Sequence, residues 1–216
     1  MHCLILAGGQ IRPEDPLYAY TQGKPKALID MGGRTMLERV VGALQGSRYV
    51  EDVLVVGITP EMAAPLTFAR PVAFLPDQGG MVANMLAGCR WLETNRPGTQ
   101  VILGSSADIP AITSSMVDDF VAACRPWDRA LYYNFVARET LEARYPHSNR
   151  TYSKLNGMEV AGGDMVIAHL DVVTRNRELL DSLTGARKQP WRIAQIVGRG
   201  FLLKFLFHRV TFGDIE

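Results

Sequence analysis

The sequence predicts an α/β fold in which helices cover both faces of a mostly parallel sheet. Three short runs, at residues 3–6, 53–56 and 101–103, are apolar on consecutive positions rather than on alternate ones. That pattern is typical of strands that are buried on both faces. Segments with helical spacing lie between and after these runs, and strands that alternate with helices in this way indicate a doubly wound sheet.

Each predicted helix follows from apolar spacing, and two of them have a recognisable start. The segments with apolar residues on one helical face are TMLERVVGALQ, MVANMLAGCRWLET and TSSMVDDFVAAC. In the first, Thr35 and Glu38 have the spacing of a capping box, in which each side chain satisfies a backbone N–H of the other residue. In the third, Thr113 or Ser114 supplies the N-cap.

The second half of the chain is less regular. Residues 130–137 predict a further strand, and residues 138–163, which are polar and contain glycines, predict a loop-rich insertion. Residues 165–168 predict a returning strand, and helical segments are expected over residues 170–207. The chain is long enough for one sizeable core, so we expect a single domain, residues 1–216, with a helical C-terminal extension.

Composition excludes several classes of protein. The 23 basic residues nearly cancel the 22 acidic ones, which argues against a nucleic-acid or membrane-surface partner. No apolar run is long enough for a membrane span, and no signal peptide is recognisable. Cys3, Cys89 and Cys124 are widely spaced and include no CxxC pair, which predicts buried free thiols in a reducing compartment. We therefore expect a cytoplasmic protein.

The LAGG segment ends the first predicted strand with two glycines. Gly8 and Gly9 lie where an open parallel sheet binds its ligands, beyond the carboxyl ends of the strands. Because they lack a Cβ, they leave backbone N–H groups accessible to a ligand. A plain turn explains the same residues, and the spacing matches neither the GxxxxGK[ST] of a P-loop nor the GxGxxG of a dinucleotide-binding loop.

Three cations follow these glycines on a segment whose prolines predict an irregular loop. Arg12, Lys24 and Lys26 can neutralise a triphosphate and stabilise the charge that develops on a pyrophosphate leaving group. A solvated basic loop is the alternative interpretation. Lys24 is interpreted as an accessory contact or as a surface charge.

Asp108, in the segment SSADIP, follows the strand predicted at residues 101–103 and is expected at the same sheet edge as the glycines. A carboxylate at this edge suits Mg²⁺, which prefers oxygen ligands and shares them with substrate phosphates. The alternative is that Asp108 caps the helix that follows.

Four elements in this order resemble the MobA-like nucleotidyltransferase superfamily: LAGG, KPKALIDMGGRTMLERVVGAL, the group Gly79, Gly80 and Asn84, and SSADIP. The resemblance covers about residues 3–125. It implies a Rossmann-like three-layer α/β sandwich with a mostly parallel central sheet. It also implies a Mg²⁺-dependent enzyme that transfers an NMP from an NTP to a phosphorylated or hydroxyl acceptor and releases pyrophosphate.

The resemblance also implies roles for individual residues. The nucleotide-binding residues that it implies are Leu6, Ala7, Gly8, Gly9, Lys26, Gly79, Gly80 and Asn84. Arg12 and Lys26 would hold phosphates, with Lys26 aiding attack at the α-phosphorus, and Asp108 would bind the metal. By analogy the nucleotide is GTP or CTP.

The chain departs from the family pattern in three ways. Two residues, rather than three, separate Gly9 from Arg12, which makes Lys26 the stronger candidate for the phosphates. The loop over residues 13–23 is longer than that of the molybdopterin guanylyltransferases. A second metal-binding aspartate that many members have near the C-terminus is missing; either it lies beyond this chain or Asp164 replaces it.

The resemblance divides the chain into a nucleotide-binding half, residues 1–125, and an acceptor-binding half, residues 126–216. The residues expected to bind a small anionic acceptor are Arg150, Tyr152, Lys154, Gly163, Arg187 and Lys188. The first three alternate in sequence, so a strand would place them on one face. A solvated basic surface is the alternative, and the acceptor itself is left open.

Two kinds of function follow from these observations. A MobA-like nucleotidyltransferase is favoured, and a non-catalytic nucleotide or nucleotide-sugar sensor on the same fold is the alternative. The missing GxGxxG disfavours an NAD-dependent enzyme. A homodimer is the default expectation for the oligomeric state.

Overall fold

A computed structural model describes residues 1–9, 11–146, 148, 150–155, 157–178 and 182. The strands are β1 His2–Leu6, β2 Val53–Val56, β3 Val72–Leu75, β4 Val101–Ser106, β5 Leu131–Ala137, β6 Ser153–Leu155 and β7 Met158–His169. The helices are α1 Tyr18–Thr21, α2 Met36–Gln45, α3 Pro60–Ala63, α4 Met81–Asn95, α5 Ser114–Ala123, α6 Arg138–Arg144 and α7 Leu170–Arg175. A 3₁₀ turn spans Lys26–Leu28.

The strands form a sheet in the order β3-β2-β1-β4-β7-β5, with β6 paired to β7. Strands β3, β2, β1 and β4 run parallel to one another, and β7 pairs antiparallel with β4. Every residue of β2 is buried, as is the centre of β1, which is the consequence of helices on both faces. The predicted α/β class with a mostly parallel sheet is confirmed.

Two predicted helix caps are present. The Thr35 Oγ1 accepts the Glu38 N–H at 3.2 Å, and the Glu38 carboxylate accepts the Thr35 N–H at 2.8 Å, which completes the capping box of α2. At α5 the Oγ1 of Thr113 accepts the Met116 N–H at 3.3 Å. Thr113, rather than Ser114, is therefore the N-cap of α5.

Four short elements of the first half were absent from the sequence prediction, namely α1, the 3₁₀ turn Lys26–Leu28, α3 and β3. β3 is a half-exposed strand at the sheet edge that lies between Pro71 and Pro76. α1 forms within the segment predicted to be irregular. Pro16 and Gly23 of this segment do not prevent the helix. Pro16 precedes its first turn, where a missing N–H is tolerated, and Gly23 follows its last turn.

The prediction of a loop-rich insertion over residues 138–163 is wrong. This segment contains α6, β6 and the first half of β7. An ion pair between Arg138 and Glu142, at 2.9 Å, supports the helix at i,i+4 spacing. The glycines that suggested a loop lie inside β7. Glycine is needed there because a Cβ on Gly163 would collide with the Asn134 side chain.

Contacts within the chain define two compact units. The first comprises Met1–Tyr132 and Asp164–Arg177, and the second comprises Tyr133–Gly163 and Glu178–Glu216. The chain leaves the first unit after Tyr132 and returns to it at Asp164. The helical extension expected over residues 170–207 begins with α7, and its remainder lies outside the described residues, apart from positions 176–178 and 182.

Buried apolar side chains from β1, β2, β4 and the helices beside them form the core of the first unit. All three cysteines are buried and free, as predicted. Burial raises the pKa of each thiol, to about 12 for Cys89, so all three stay protonated at neutral pH. Among the described residues, no helix combines the length and apolar character needed to cross a membrane.

Candidate functional site

Strands β1, β2 and β4 end side by side. Leu6 pairs with Val56 on one side and with Ser106 on the other. The Ala7 N–H then donates to the Val56 carbonyl at 2.8 Å, and the Ala107 N–H donates to the Leu6 carbonyl at 3.2 Å. The loops that follow these strands therefore begin at one edge of the sheet, which is where open parallel sheets bind ligands.

Glycines allow the loops at this edge to approach one another closely. Gly57 has a φ of +113°, and a Cβ at this position would meet the backbone of Gly8. A Cβ on Gly8 would in turn meet the side chains of Asn84 and Asp77. The loops after β1, β2 and β3 thus converge on Gly8. Gly9, also at φ +113°, is exposed, and a Cβ there would meet nothing within 4 Å.

An ion pair at the same edge joins Lys26 and Asp108, which are 82 positions apart in sequence. Lys26 begins the 3₁₀ turn that follows Pro25, and its Nζ donates to Oδ2 of Asp108. The other carboxylate oxygen, Oδ1, accepts the hydroxyl of Ser106. The Lys26 and Asp108 side chains are 42% and 31% exposed, so a ligand in solvent can reach both.

The surroundings of Asp108 favour its charged form. Burial by itself raises the pKa of this carboxyl, but the hydrogen bonds from Lys26 and Ser106 and the positive charge of Lys26 outweigh burial. The net effect holds the pKa of Asp108 below its usual range. The group is therefore an anion at neutral pH, as a cation ligand must be.

Asn84, in the first turns of α4, is 2% exposed. Its Nδ2 donates to Oδ1 of Asp77 at 2.7 Å, and its Oδ1 accepts the Gln78 N–H at 2.6 Å. Asp77 also accepts the Gly79 N–H at 3.3 Å. The predicted binding residue thus lies beneath the loop after β3 and is engaged by that loop on both sides of its amide.

The remaining predicted nucleotide-binding residues differ in accessibility. Ala7 is buried, whereas Gly79 and Gly80, the latter being the N-cap of α4, are exposed. Arg12 is exposed too, and within the described part of the chain its guanidinium makes no hydrogen bond or ion pair. Lys26, not Arg12, is the predicted cation that meets Asp108.

The register of β7 determines where Asp164 lies. Met165 pairs with Ser105, so Asp164 occupies the next position, beside Ser106 at the carboxyl end of β4. Asp164 is half-buried and belongs to the first unit. It therefore lies at the sheet edge that carries Asp108.

The predicted acceptor residues fall largely in the second unit. The prediction that Arg150, Tyr152 and Lys154 share one strand is wrong, because β6 begins only at Ser153 and its hairpin turns back at Gly157. The Arg150 guanidinium instead donates to the Gly162 carbonyl, next to Gly163, at 3.0 Å. Arg187 and Lys188 lie outside the described residues.

Tyr152 lies under the guanidinium of Arg138, whose central carbon is 5.1 Å from the ring centroid. The Tyr152 hydroxyl and the Oδ1 of Asn134 are buried, and neither has a hydrogen-bond partner among the residues that the structure describes.

Sequence reasoning missed Ser106, Asp77 and Asn134. Ser106 was visible as the residue two positions before Asp108, a spacing at which serine readily bonds a nearby carboxylate. Asp77 and Asn134 gave no comparable local signal, because their neighbours come from other elements.

Among the described residues, no group of three or more His, Cys, Asp or Glu could hold a metal on its own.

Comparisons with known proteins identify the family of this chain and proteins that share its fold. The family described as the MobA-like NTP transferase domain matches residues 3–195. A molybdenum cofactor guanylyltransferase of Nitrobacter hamburgensis is 30% identical over 116 residues, which are 53% of this chain and 51% of that protein. The chain thus spans about half the length of the curated relatives it matches.

Two solved structures have a fold similar to that of this chain. A hypothetical transferase from Thermus thermophilus has a TM-score of 0.80 at 29% identity and covers 100% of this chain and 85% of its own. A 4-diphosphocytidyl-2C-methyl-D-erythritol synthase from Anaerococcus prevotii has a TM-score of 0.56 at 10% identity, over 83% of this chain and 74% of its own. The second likeness shows the fold alone.

Proposed function

Because the chain belongs to the family of MobA-like NTP transferase domains, we propose that it is an enzyme that transfers a nucleoside monophosphate from a nucleoside triphosphate to a small anionic acceptor. The observation that carries the proposal is the accessible Lys26–Asp108 pair, which lies at the same sheet edge as the bare backbone of Gly8 and Gly9. A cation, a carboxylate and free backbone N–H groups are the groups that a metal-bound triphosphate needs.

In the proposed reaction an acceptor oxygen attacks the α-phosphorus, and the bond from that phosphorus to the bridging oxygen breaks. The electron pair of this bond leaves with pyrophosphate, and a hydroxyl acceptor gives up its proton. The ammonium of Lys26 contacts the phosphates and offsets the negative charge that develops there. The chain accelerates transfer mainly by holding the two reactants in line.

Asp108, with Asp164 as the second carboxylate, would hold the divalent cation, which we propose to be Mg²⁺. The register that places Asp164 beside Ser106 supports this pairing, because Ser106 itself bonds Asp108. When bound, the metal neutralises phosphate charge and orients the triphosphate. The Lys26 ammonium donates to Oδ2 of Asp108, so its positive charge opposes a cation bound at the same carboxylate.

We propose GTP as the nucleotide. The relatives named as guanylyltransferases support this choice. So does Asp77, whose carboxylate lies beside Gly8 and can only accept hydrogen bonds while it is charged. Guanine presents N–H donors on its Watson–Crick edge, which suits such a carboxylate, whereas uracil presents a single one.

For the acceptor we propose a small anionic compound, which the cations Arg150 and Lys154 of the second unit would bind. The proposed setting is a homodimer in the cytoplasm. The Arg150 and Lys154 side chains are both exposed and carry the positive charge that an anion would pair with.

Titration with each of the four NTPs in Mg²⁺, followed by calorimetry and thermal unfolding, tests the proposal. GTP at a hundred times its dissociation constant should stabilise the protein by about 2.7 kcal/mol. If none of the four NTPs binds, the proposed function is wrong. If an NTP binds but no pyrophosphate appears with a panel of phosphorylated and hydroxyl acceptors, the chain is the nucleotide sensor that the sequence offered as the alternative.

A further inference from the structure

Asn84 combines burial with complete use of its amide toward one loop. The residue is 2% exposed. Its nitrogen faces the carboxylate of Asp77, a pure acceptor, and its oxygen faces the backbone N–H of Gln78, a pure donor. The two contacts fix which end of the amide is oxygen, because a flipped amide would oppose like groups on both sides.

The position of this amide ties the loop after β3 to the loop after β1. A Cβ on Gly8 would collide with the Asn84 nitrogen and the Asp77 carboxylate together. Asn84 and the Asp77 carboxylate that it holds therefore lie side by side against Gly8. α4 is a fifteen-residue helix packed on the sheet, and it holds the backbone of Asn84 in a fixed position.

A buried amide whose two ends are already paired is poorly placed to contact a ligand. Asp77, in contrast, is exposed and keeps acceptor capacity on its carboxylate. Only Oδ1 of Asp77 receives the bonds from Asn84 and Gly79. The side chain that can reach a nucleotide is thus Asp77, and Asn84 determines where it points.

We propose that Asn84 is a positioning residue, which fixes the Asp77 carboxylate beside Gly8 and thereby sets nucleotide affinity and base selectivity without touching the nucleotide. The inference rests on the proposed function, because it assumes that a nucleotide binds at Gly8. It assigns Asn84 a role different from the direct contact that the sequence resemblance implied.

The test is a double-mutant cycle with Asn84→Asp, Asp77→Asn and the variant that carries both. Asn84→Asp places a carboxylate against the carboxylate of Asp77, where the wild type has a hydrogen-bonded amide, so the Asp77 loop is pushed away. We expect the KM for the preferred NTP to rise on the order of 10- to 100-fold, with kcat changed less than about threefold. The ratio of KM values among the four NTPs should fall toward one.

The double variant restores a complementary amide–carboxylate pair with the partners exchanged. Its KM should return to within about threefold of the value for Asp77→Asn alone, because residues that act through one contact are not additive. Asn95→Asp is the matched control, since it makes the same change at the exposed end of the same helix. It should leave KM, kcat and selectivity at wild-type values.

Three results would overturn the inference. If the losses from Asn84→Asp and Asp77→Asn simply multiply in the double variant, Asn84 contacts the nucleotide itself. If Asn84→Asp lowers only the melting temperature, with KM and base selectivity unchanged well below it, Asn84 is a packing residue. If the effects of the two substitutions on the free energy of unfolding are additive in the double variant, Asn84 does not hold Asp77 in place.

The free energies of unfolding are measured without nucleotide. They therefore separate the positioning role of Asn84 from the proposed nucleotidyl transfer. Wild-type protein that binds no NTP would refute the proposed function, whether or not the unfolding energies of the four proteins are coupled. Coupled unfolding energies in a protein that does bind NTP, together with unchanged selectivity, would refute only the positioning role.

Discussion

The Asp108 carboxylate is held in its charged form by the ammonium of Lys26 and the hydroxyl of Ser106, one on each oxygen. Burial opposes this charge, but the two donors outweigh it and lower the pKa. A carboxyl with a lowered pKa binds fewer protons in the folded chain than in the unfolded chain. Asp108 therefore contributes stability above the pKa of the unfolded state, about 3.9, and loses it as pH falls through the folded value.

This linkage predicts how Asp108→Asn should behave in urea. The difference in free energy of unfolding between wild type and variant should be larger at about pH 6 than at about pH 3. Comparison of the two proteins cancels the titration of other acids. A difference that is constant over this window would show that Asp108 does not have a lowered pKa.

The Lys26–Asp108 pair also predicts a consequence for metal binding. Lys26→Met removes the ammonium that occupies Oδ2 of Asp108, so the variant should bind Mn²⁺ alone more tightly than wild type, on the order of tenfold. Binding of the NTP with the metal should weaken, since the variant lacks the phosphate contact.

Electron paramagnetic resonance of free Mn²⁺ measures the first quantity without any turnover. Asp108→Asn serves as the control, because it should bind Mn²⁺ no better than wild type. Equal Mn²⁺ affinity in Lys26→Met and wild type would mean that Lys26 and the metal do not compete for Asp108.

At the scale of elements, the start of α2 anchors two loops near the site. Glu38 accepts the Thr35 N–H and hydroxyl on one oxygen, at 2.8 Å each, and the Thr67 N–H on the other, at 2.9 Å. These bonds, which outweigh a burial cost, hold the pKa of Glu38 below its usual range. The N-cap thus joins α2 to the segment that leads into β3.

Removal of this cap should be measurable as lost stability. Thr35→Ala should lower the free energy of unfolding by about 1 kcal/mol, the usual effect of losing an N-cap. Thr35→Ser keeps the hydroxyl and should recover most of the loss in the same urea titration. An alanine variant as stable as wild type would show that the capping box contributes nothing here.

The elements also show what local sequence can predict. The buried strands β1, β2 and β4 and the caps of α2 and α5 follow from patterns within a few residues, and all are present. β3 escaped prediction because it is a short, half-exposed edge strand. The first half of β7 escaped because Gly162 and Gly163, which suggest a turn in isolation, are required by the side chains of Tyr133 and Asn134.

At the scale of the whole molecule, several residues of the candidate site could be predicted from the sequence. The hydrogen bonds between them could not. Gly8, Lys26 and Asp108 are recognisable because strand ends and loops bring such residues to one edge. The engagement of Asn84 by Asp77, and of Ser106 by Asp108, depends on contacts between separate loops. The division into two units likewise depends on the return of the chain at Asp164.

The two units divide the proposed work of the enzyme. The first unit contains Gly8, Lys26, Asp108 and Asp164, which the proposed reaction uses for the nucleotide and metal. The second contains Arg150 and Lys154, which it uses for the acceptor. Nucleotide binding should therefore survive Arg150→Ala, whereas transfer to an acceptor should not.

Pyrophosphate release is the measurement that tests nucleotidyl transfer most directly. Wild-type protein with GTP, Mg²⁺ and a panel of phosphorylated and hydroxyl acceptors should produce pyrophosphate in step with the nucleotidylated product. Lys26→Ala should reduce the rate on the order of 100-fold or more, and Lys24→Ala, which removes the same charge two residues away, should reduce it much less. Steady binding of GTP with no pyrophosphate from any acceptor, or equal rates for Lys26→Ala and wild type, would contradict the proposed reaction.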